Sequence, residues 1–351
     1  MALPDVLRAL LSAHGPSGYE TAPAALWRTA ADVFADVSVD GMGTSYATVP
    51  GTAGGLSLGI FGHIDEIGLI VTHIDDKGFL AFGSVGGWDP QVLVGQRVTL
   101  TTREGQLPGV VGKKPIHLLT ADDRKKVTEL KELHIDIGAA DGDEARGLVR
   151  IGDTAVITGE PVEMPNGRAI SRAMDNRLGA FIAYEAARLV AEAGGAPGDV
   201  VGVAAVQEEI GLNGARTAAF SLRPDIAIVV DVTHATDAPG VDPRELGEHP
   251  LGSGPVLERG AILNPAVFDL LSEVAEAEGI AFTIAASGRG TSTDADVTHM
   301  SRNGIPTTVI GIPLRYMHSP VEMVAVDDVH AIARLIAAFA QRLTAGTSFA
   351  R

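Results

Sequence analysis

Residues 56–74 read LSLGIFGHIDEIGLIVTHI, two short apolar runs separated by the polar segment His63-Ile64-Asp65-Glu66. Runs of about 5–8 apolar residues have the length of strands rather than helices, so this stretch predicts a buried strand, a loop and a second strand. Working outward, PGDVVGVAAVQEEIGLNGA (197–215) predicts a buried strand that ends in an acidic loop. PDIAIVVDVTHA (224–235) and GIPTTVIGIP (304–313) predict two more buried strands. Helical patterns lie between them. Residues 173–194 carry apolar side chains at helical spacing and run into Gly194-Gly195, 264–279 opens on the cap residue Asn264 and stops at Gly279, and 326–346 forms a last helix. Strands alternating with helices predict a three-layer α/β/α arrangement around a largely parallel sheet.

One stretch breaks this rhythm. From about 69 to 166 the chain shows short alternating runs, among them FLAFGSVGG, QRVTLTT, LPGVVGKK, ELHIDIG and DTAVITG. Apart from a turn at ADDRKKVTEL (121–130), no amphipathic helix is expected there. The pattern predicts a small β-rich domain at 69–166, inserted between a first α/β part (1–68) and a second (167–351). The Gly/Pro-rich 239–254 predicts a long loop, of a kind that is either plain surface or functional.

Composition narrows the function. The 351 residues include 27 Lys and Arg against 44 Asp and Glu, a net charge of −17, which argues against nucleic acid as the main partner. No apolar run reaches the roughly 18 residues of a membrane span. The N-terminal stretch lacks the basic and apolar regions of a secretory signal. Zero cysteines exclude disulfides, thiolate metal sites and a cysteine nucleophile, and suit a cytoplasmic protein.

The residues able to do chemistry gather where strands end. His63 and Asp65 form a His-x-Asp pair, in which the carboxylate can orient a metal-binding imidazole. Asp175 stands where a loop enters a helix; it and Asn176 are equally good helix caps. Glu208 and Glu209 follow a buried strand, and two adjacent carboxylates repel unless a cation sits between them. Asp231 ends an apolar run at the edge where α/β sheets bind ligands. His318 follows another strand that reaches the same edge, while His234 has no assigned role. Taken singly, each is as readily a loop or capping residue. Taken together, His63, Asp175, Glu209, Asp231 and His318 provide two imidazoles and three carboxylates, a donor set suited to two divalent ions: Zn²⁺, Co²⁺ or Mn²⁺. One carboxylate would bridge them, leaving Glu208 as general base for an activated water.

These residues and their surroundings resemble the M42 metallo-aminopeptidases over nearly the whole chain. The resemblance is carried by GPSGYE (15–20), GHIDEIG (62–68), GKKPIHLL (112–119), IDIGA (135–139), AMDNRLGA (173–180), QEEIGLNGA (207–215), the strand ending in Asp231, and GIPLRYMHSP (311–320), in that order. It implies that His63 and Asp231 hold one ion, Glu209 and His318 the other, and Asp175 bridges. It further implies that Asp65 orients His63 and that Glu208 is the base. The expected activity is removal of N-terminal residues from short peptides, with Zn or Co the foremost metals. The expected fold is a peptidase domain carrying an inserted PDZ-like dimerisation domain, assembled into homododecamers built from dimers. A related N-acyl amino acid hydrolase or deblocking peptidase is the alternative, followed by a non-catalytic scaffold. Two segments depart from the family pattern: GMGTSYATVPG (41–51) replaces a Gly-Asn-Leu form, and SGRGTSTDADVTHMS (287–301) replaces a Gly-Gly-Thr-Asp form. The second is expected at the substrate pocket, so it bears on specificity.

Overall fold

The computed structural model describes residues 2–350. Its centre is an eight-stranded mixed sheet. In spatial order the strands are Asp36–Val39, Ser45–Val49, Val200–Ala205, Leu58–His63, Ile226–His234, Thr307–Leu314, Val256–Gly260 and Thr283–Ser287. The four from Val200–Ala205 to Thr307–Leu314 are mutually parallel. All six residues of Leu58–His63 and of Val200–Ala205 are buried. Helices cover both faces, so neither face needs polar residues and the strands read as unbroken apolar runs. Against one face pack Asp5–Ser12, Thr21–Ala31, Met174–Glu192, Pro265–Ala277 and Val326–Ala340; against the other pack Asn213–Leu222 and the single turn Ala295–Thr298. Asn264 caps its helix as expected, its side chain accepting from the amides of Ala266 and Val267.

Six further strands, Gly68–Ile74, Leu80–Val85, Arg97–Thr102, Gly105–Gly112, His134–Asp136 and Thr154–Ile157, close an antiparallel barrel. Leu69, Val71, Leu80, Val98, Leu100 and Ile135 fill it, separately from the core of the main sheet. Closure removes the free strand edges that a small sheet would otherwise expose. The helix Gly142–Leu148 in this region was not expected from sequence. Seven residues are too few to display a helical period, and its clearest mark is Asp141, whose side chain accepts from the amides of Asp143 and Glu144. The chain returns from the barrel through Val162–Met164 and Arg168–Ser171, which join Glu322–Ala325 in a three-stranded sheet.

The helix Met174–Glu192 lies almost on the backbone of Leu58–His63. A Cβ on Gly62 would overlap the Gly179 carbonyl and the Ala180 amide, and none of these backbone atoms can swing aside. Gly62→Ala is therefore expected to destabilise the protein by about 2–3 kcal/mol, the upper range for overpacking. A shift in the urea midpoint would measure this; an unchanged midpoint would show that helix and strand can separate at no cost.

Candidate metal centre and active site

The parallel register brings the C-terminal ends of four strands to one edge. His63 ends its strand opposite Ala205, three residues before Glu208, and Asp231 pairs with Gly311. All seven residues expected from the sequence meet there. His63 Nε2 lies 3.2 Å from Asp175 Oδ1, 3.7 Å from Glu208 Oε2 and 4.0 Å from Asp231 Oδ1. His318 Nε2 lies 3.2 Å from Asp175 Oδ2 and 3.3 Å from Glu209 Oε1. The two carboxylate oxygens of Asp175 thus face different imidazoles. His63 Nδ1, on the far side of its ring, lies 3.3 Å from Asp65 Oδ1.

The choice between Asp175 and Asn176 as helix cap is resolved by their contacts. Asn176 Oδ1 accepts from the amide of Gly179 at 2.9 Å, and its Nδ2 donates to the carbonyl of Val230. Asn176 does the capping, which leaves both Asp175 oxygens to the site. Asp65 accepts from Ser17 Oγ at 2.5 Å and from the amides of Glu208 and Glu209 at 3.1 and 3.2 Å. One buried carboxylate therefore orients His63 and also fixes the loop that presents both glutamates. Ala173, Gln207, Tyr316 and His318 all have φ between 58° and 62°. Left-handed backbone at non-glycine residues is costly, and its concentration around one pocket marks a place where geometry overrides local preference.

The electrostatics follow from crowding. Burial drives Glu208 up to about 10, helped by the charges of Asp231, Asp294 and Glu209 and opposed by His63. Burial likewise raises Asp231 and Glu209. Hydrogen bonds to Asp175 and Glu209 lift His318 to about 11. Burial also pushes Asp175 up, but His318 and His63 outweigh it and hold this carboxyl below its usual range. A nest of buried carboxylates with only imidazoles to balance it is what a polyvalent cation would stabilise. Candidate ligand atoms of His63, Asp175 and Glu209 all lie within 4.8 Å of one another, as do those of His63, Glu208 and Asp231. Oxygen and imidazole donors at this spacing fit divalent metal.

Three contributors escaped the sequence reading. Glu322, 2% exposed, accepts from the amides of Met174 and Asp175 through Oε2 and from the amide of His318 through Oε1, so one carboxylate fixes the backbone beneath two site residues. In sequence it is a lone acid before an apolar strand, a weak signal. Asp294 is 1% exposed with neither oxygen hydrogen-bonded, and burial pushes it up to about 7. It belongs to the departing segment 287–301, whose Thr291, Ser292 and Thr293 line the pocket. Glu66 is the third. It accepts from the amide of Gly15 and from the guanidinium groups of Arg172 and Arg177, and Arg177 donates in turn to the carbonyls of Leu10, Ala13 and Ile64.

The fold and the site define a class, a three-layer α/β protein with a centre of imidazoles and carboxylates at the ends of its parallel strands. The chain belongs to the M42 glutamyl aminopeptidase family, whose model matches residues 43–335. It is 34% identical to the lysyl aminopeptidase of Pyrococcus furiosus, over 97% of each chain. Among solved structures it is similar to a TET aminopeptidase from a marine-sediment Thaumarchaeota archaeon, with a TM-score of 0.92, 37% identity, and 97% and 96% of the two chains covered. It is also similar to the TET1 peptidase of Pyrococcus horikoshii, which assembles into a tetrahedron or a large octahedral shell; there the TM-score is 0.84, the identity 32%, and the coverage 96% and 98%. The family and these relatives are aminopeptidases, hydrolases of peptide bonds.

Removing one member of a buried ion network leaves the others uncompensated. Glu66→Ala is therefore expected to cost about 3–5 kcal/mol. The loss would be read as a lowered denaturation midpoint, and a change below ~1 kcal/mol would mean that Arg172 and Arg177 are satisfied by backbone carbonyls alone.

Proposed function

We propose that this chain is a dinuclear metal-dependent aminopeptidase acting on short peptides. The observation that carries this reading is Asp175, whose two oxygens face separate imidazoles, with Glu208 left over beside them. In this reading His63 and Asp231 hold one ion, Glu209 and His318 hold the other, and Asp175 is shared. When bound, two divalent ions, with Zn²⁺ or Co²⁺ foremost and Mn²⁺ also suited, polarise the peptide carbonyl and make water nucleophilic at neutral pH. Glu208 takes the proton of the attacking water and delivers it to the leaving amine. Its position suits it to this role, since Oε2 lies 3.7 Å from His63 Nε2 while Glu208 stays outside the proposed ligand set. Asp65 holds the ring of His63, and Glu322 keeps Asp175 and His318 in place through their amides. The carboxylate oxygens lining the pocket can accept charge-assisted hydrogen bonds from a free α-ammonium group, which a blocked terminus lacks.

The test is hydrolysis of aminoacyl-p-nitroanilides and their N-acetylated counterparts by metal-stripped protein, then after adding Zn²⁺, Co²⁺ or Mn²⁺. Metal-restored cleavage confined to the free-amine set is expected. Cleavage of the blocked set would instead make this a deacylase or deblocking enzyme. Glu208→Gln should lower kcat by about 10²–10⁴-fold with metal content unchanged; loss of metal would make Glu208 a ligand.

We also propose that 69–166 is an inserted dimerisation domain, that the chain assembles as a homododecamer of dimers, and that it works in the cytoplasm. Supporting the assembly, Ile116 and Leu118 are 60% and 66% exposed beside the barrel, an apolar face suited to cover by a second copy. No helix among the described residues is long and apolar enough to cross a membrane. Leu118→Asp should shift the mass on light scattering from a multi-subunit shell toward smaller species. An unchanged mass would remove this face from the contact.

A further inference from the structure

The cavity of about 310 Å³ beside the carboxylate cluster is lined in addition by Thr233, Glu258, Thr291 and Met317. No lysine or arginine lines it. Glu258 lies in the middle of the strand Val256–Gly260, where side chains alternate between faces. Its neighbour Leu257 points into the core under the long helices, so Glu258 points to the opposite face, toward the cavity. Its carboxylate is partly buried, and its hydrogen-bond partner is Ser287 Oγ, at a long 3.5 Å. Val256, two residues before Glu258, pairs with Gly311, which pairs in turn with Asp231, so Glu258 lies two strands away from Asp231 and two residues further along its own strand. It shares the cavity with the cluster but stands apart from it.

We propose that Glu258 is a specificity-determining residue that selects peptides with a cationic N-terminal side chain, lysine or arginine. This rests on the aminopeptidase reading above. With two divalent ions in place, their four charges balance Asp175, Glu208, Glu209 and Asp231, and Glu258 is the negative group left over in the cavity. The α-ammonium of a bound peptide is two bonds from the scissile carbonyl carbon of the same residue, so it lies beside the cluster. Glu258 is on the second strand over from Asp231, about 10 Å away across the sheet, a span that suits the end of a long side chain. Threonine and methionine walls accept the alkyl stem of lysine or arginine while the cationic head meets the carboxylate. An acidic side chain at the same place would meet like charge.

The test uses the metal-loaded enzyme and four p-nitroanilides, those of lysine, arginine, norleucine and glutamate. Norleucine keeps the alkyl stem and lacks the charge. For the wild type, kcat/KM for lysine and arginine should exceed that for norleucine by about 10–100-fold, with glutamate last. In Glu258→Gln the lysine-to-norleucine ratio should fall at least about tenfold, and in Glu258→Lys the order of lysine and glutamate should reverse. Circular dichroism and light scattering would establish that both variants fold and assemble. A wild-type preference for norleucine or glutamate would overturn the proposal and leave the aminopeptidase reading standing. An equal loss on all four substrates in Glu258→Gln would also overturn it, by placing the carboxylate at the α-amino group. No turnover of any free-amine substrate would overturn the aminopeptidase reading itself, and the proposal with it.

Discussion

The ion network of Glu66, Arg172 and Arg177 joins the parts of this molecule that chain connectivity leaves apart. Glu66 lies between the strand that ends in His63 and the first barrel strand, and Arg172 lies where the chain returns from the barrel. Arg177, fully buried, sits on the helix Met174–Glu192 and reaches the carbonyls of Leu10, Ala13 and Ile64. Burying such charges is unfavourable unless every one is paired and hydrogen-bonded, so the arrangement tolerates little displacement. That intolerance holds His63 and Asp175 in register, although 112 positions separate them in the chain.

The same logic runs in the opposite sense at the site a few residues away. There the carboxylates are brought together without a guanidinium or ammonium group among them. Glu66 is held below its usual range by its two arginines despite full burial, while Glu208 and Asp231 are held above theirs by burial. The fold thus neutralises one buried acid with its own side chains and leaves the others for a cation from outside. Glu322 and Asp65 make the second arrangement possible. They tie down the amides of Met174, Asp175, Glu208, Glu209 and His318, so the repelling side chains cannot relax by moving their backbone.

The strands around the site come from different parts of the chain, and each contributes little by itself. Close packing lets them act together. Gly62 and Gly179 bring helix and strand into backbone contact, which sets Asp175 above the end of the strand carrying His63. The segment 287–301 then closes the pocket from the opposite face of the sheet, adding Thr291 to Thr293 as wall and Asp294 beneath.

What the amino-acid sequence determined alone was the local pattern and the chemical types at its breaks. Apolar runs of strand length, the Asn264 cap and the polar residues that interrupt those runs were legible because each depends on neighbours in the chain. His63, Asp65, Asp175, Glu208, Glu209, Asp231 and His318 were legible as a set because parallel strands deliver their ends to one edge. The short edge strands, the helix Gly142–Leu148 and the barrel's closure were not, since pairing across long loops leaves no local period. Only the tertiary structure decided that Asn176 caps while Asp175 faces two imidazoles, and that Glu322, Glu66 and Glu258, alike as glutamates in sequence, have different surroundings. The physical reason is that a carboxylate's behaviour is set by its burial and its partners, which are contributed by residues far away in the chain.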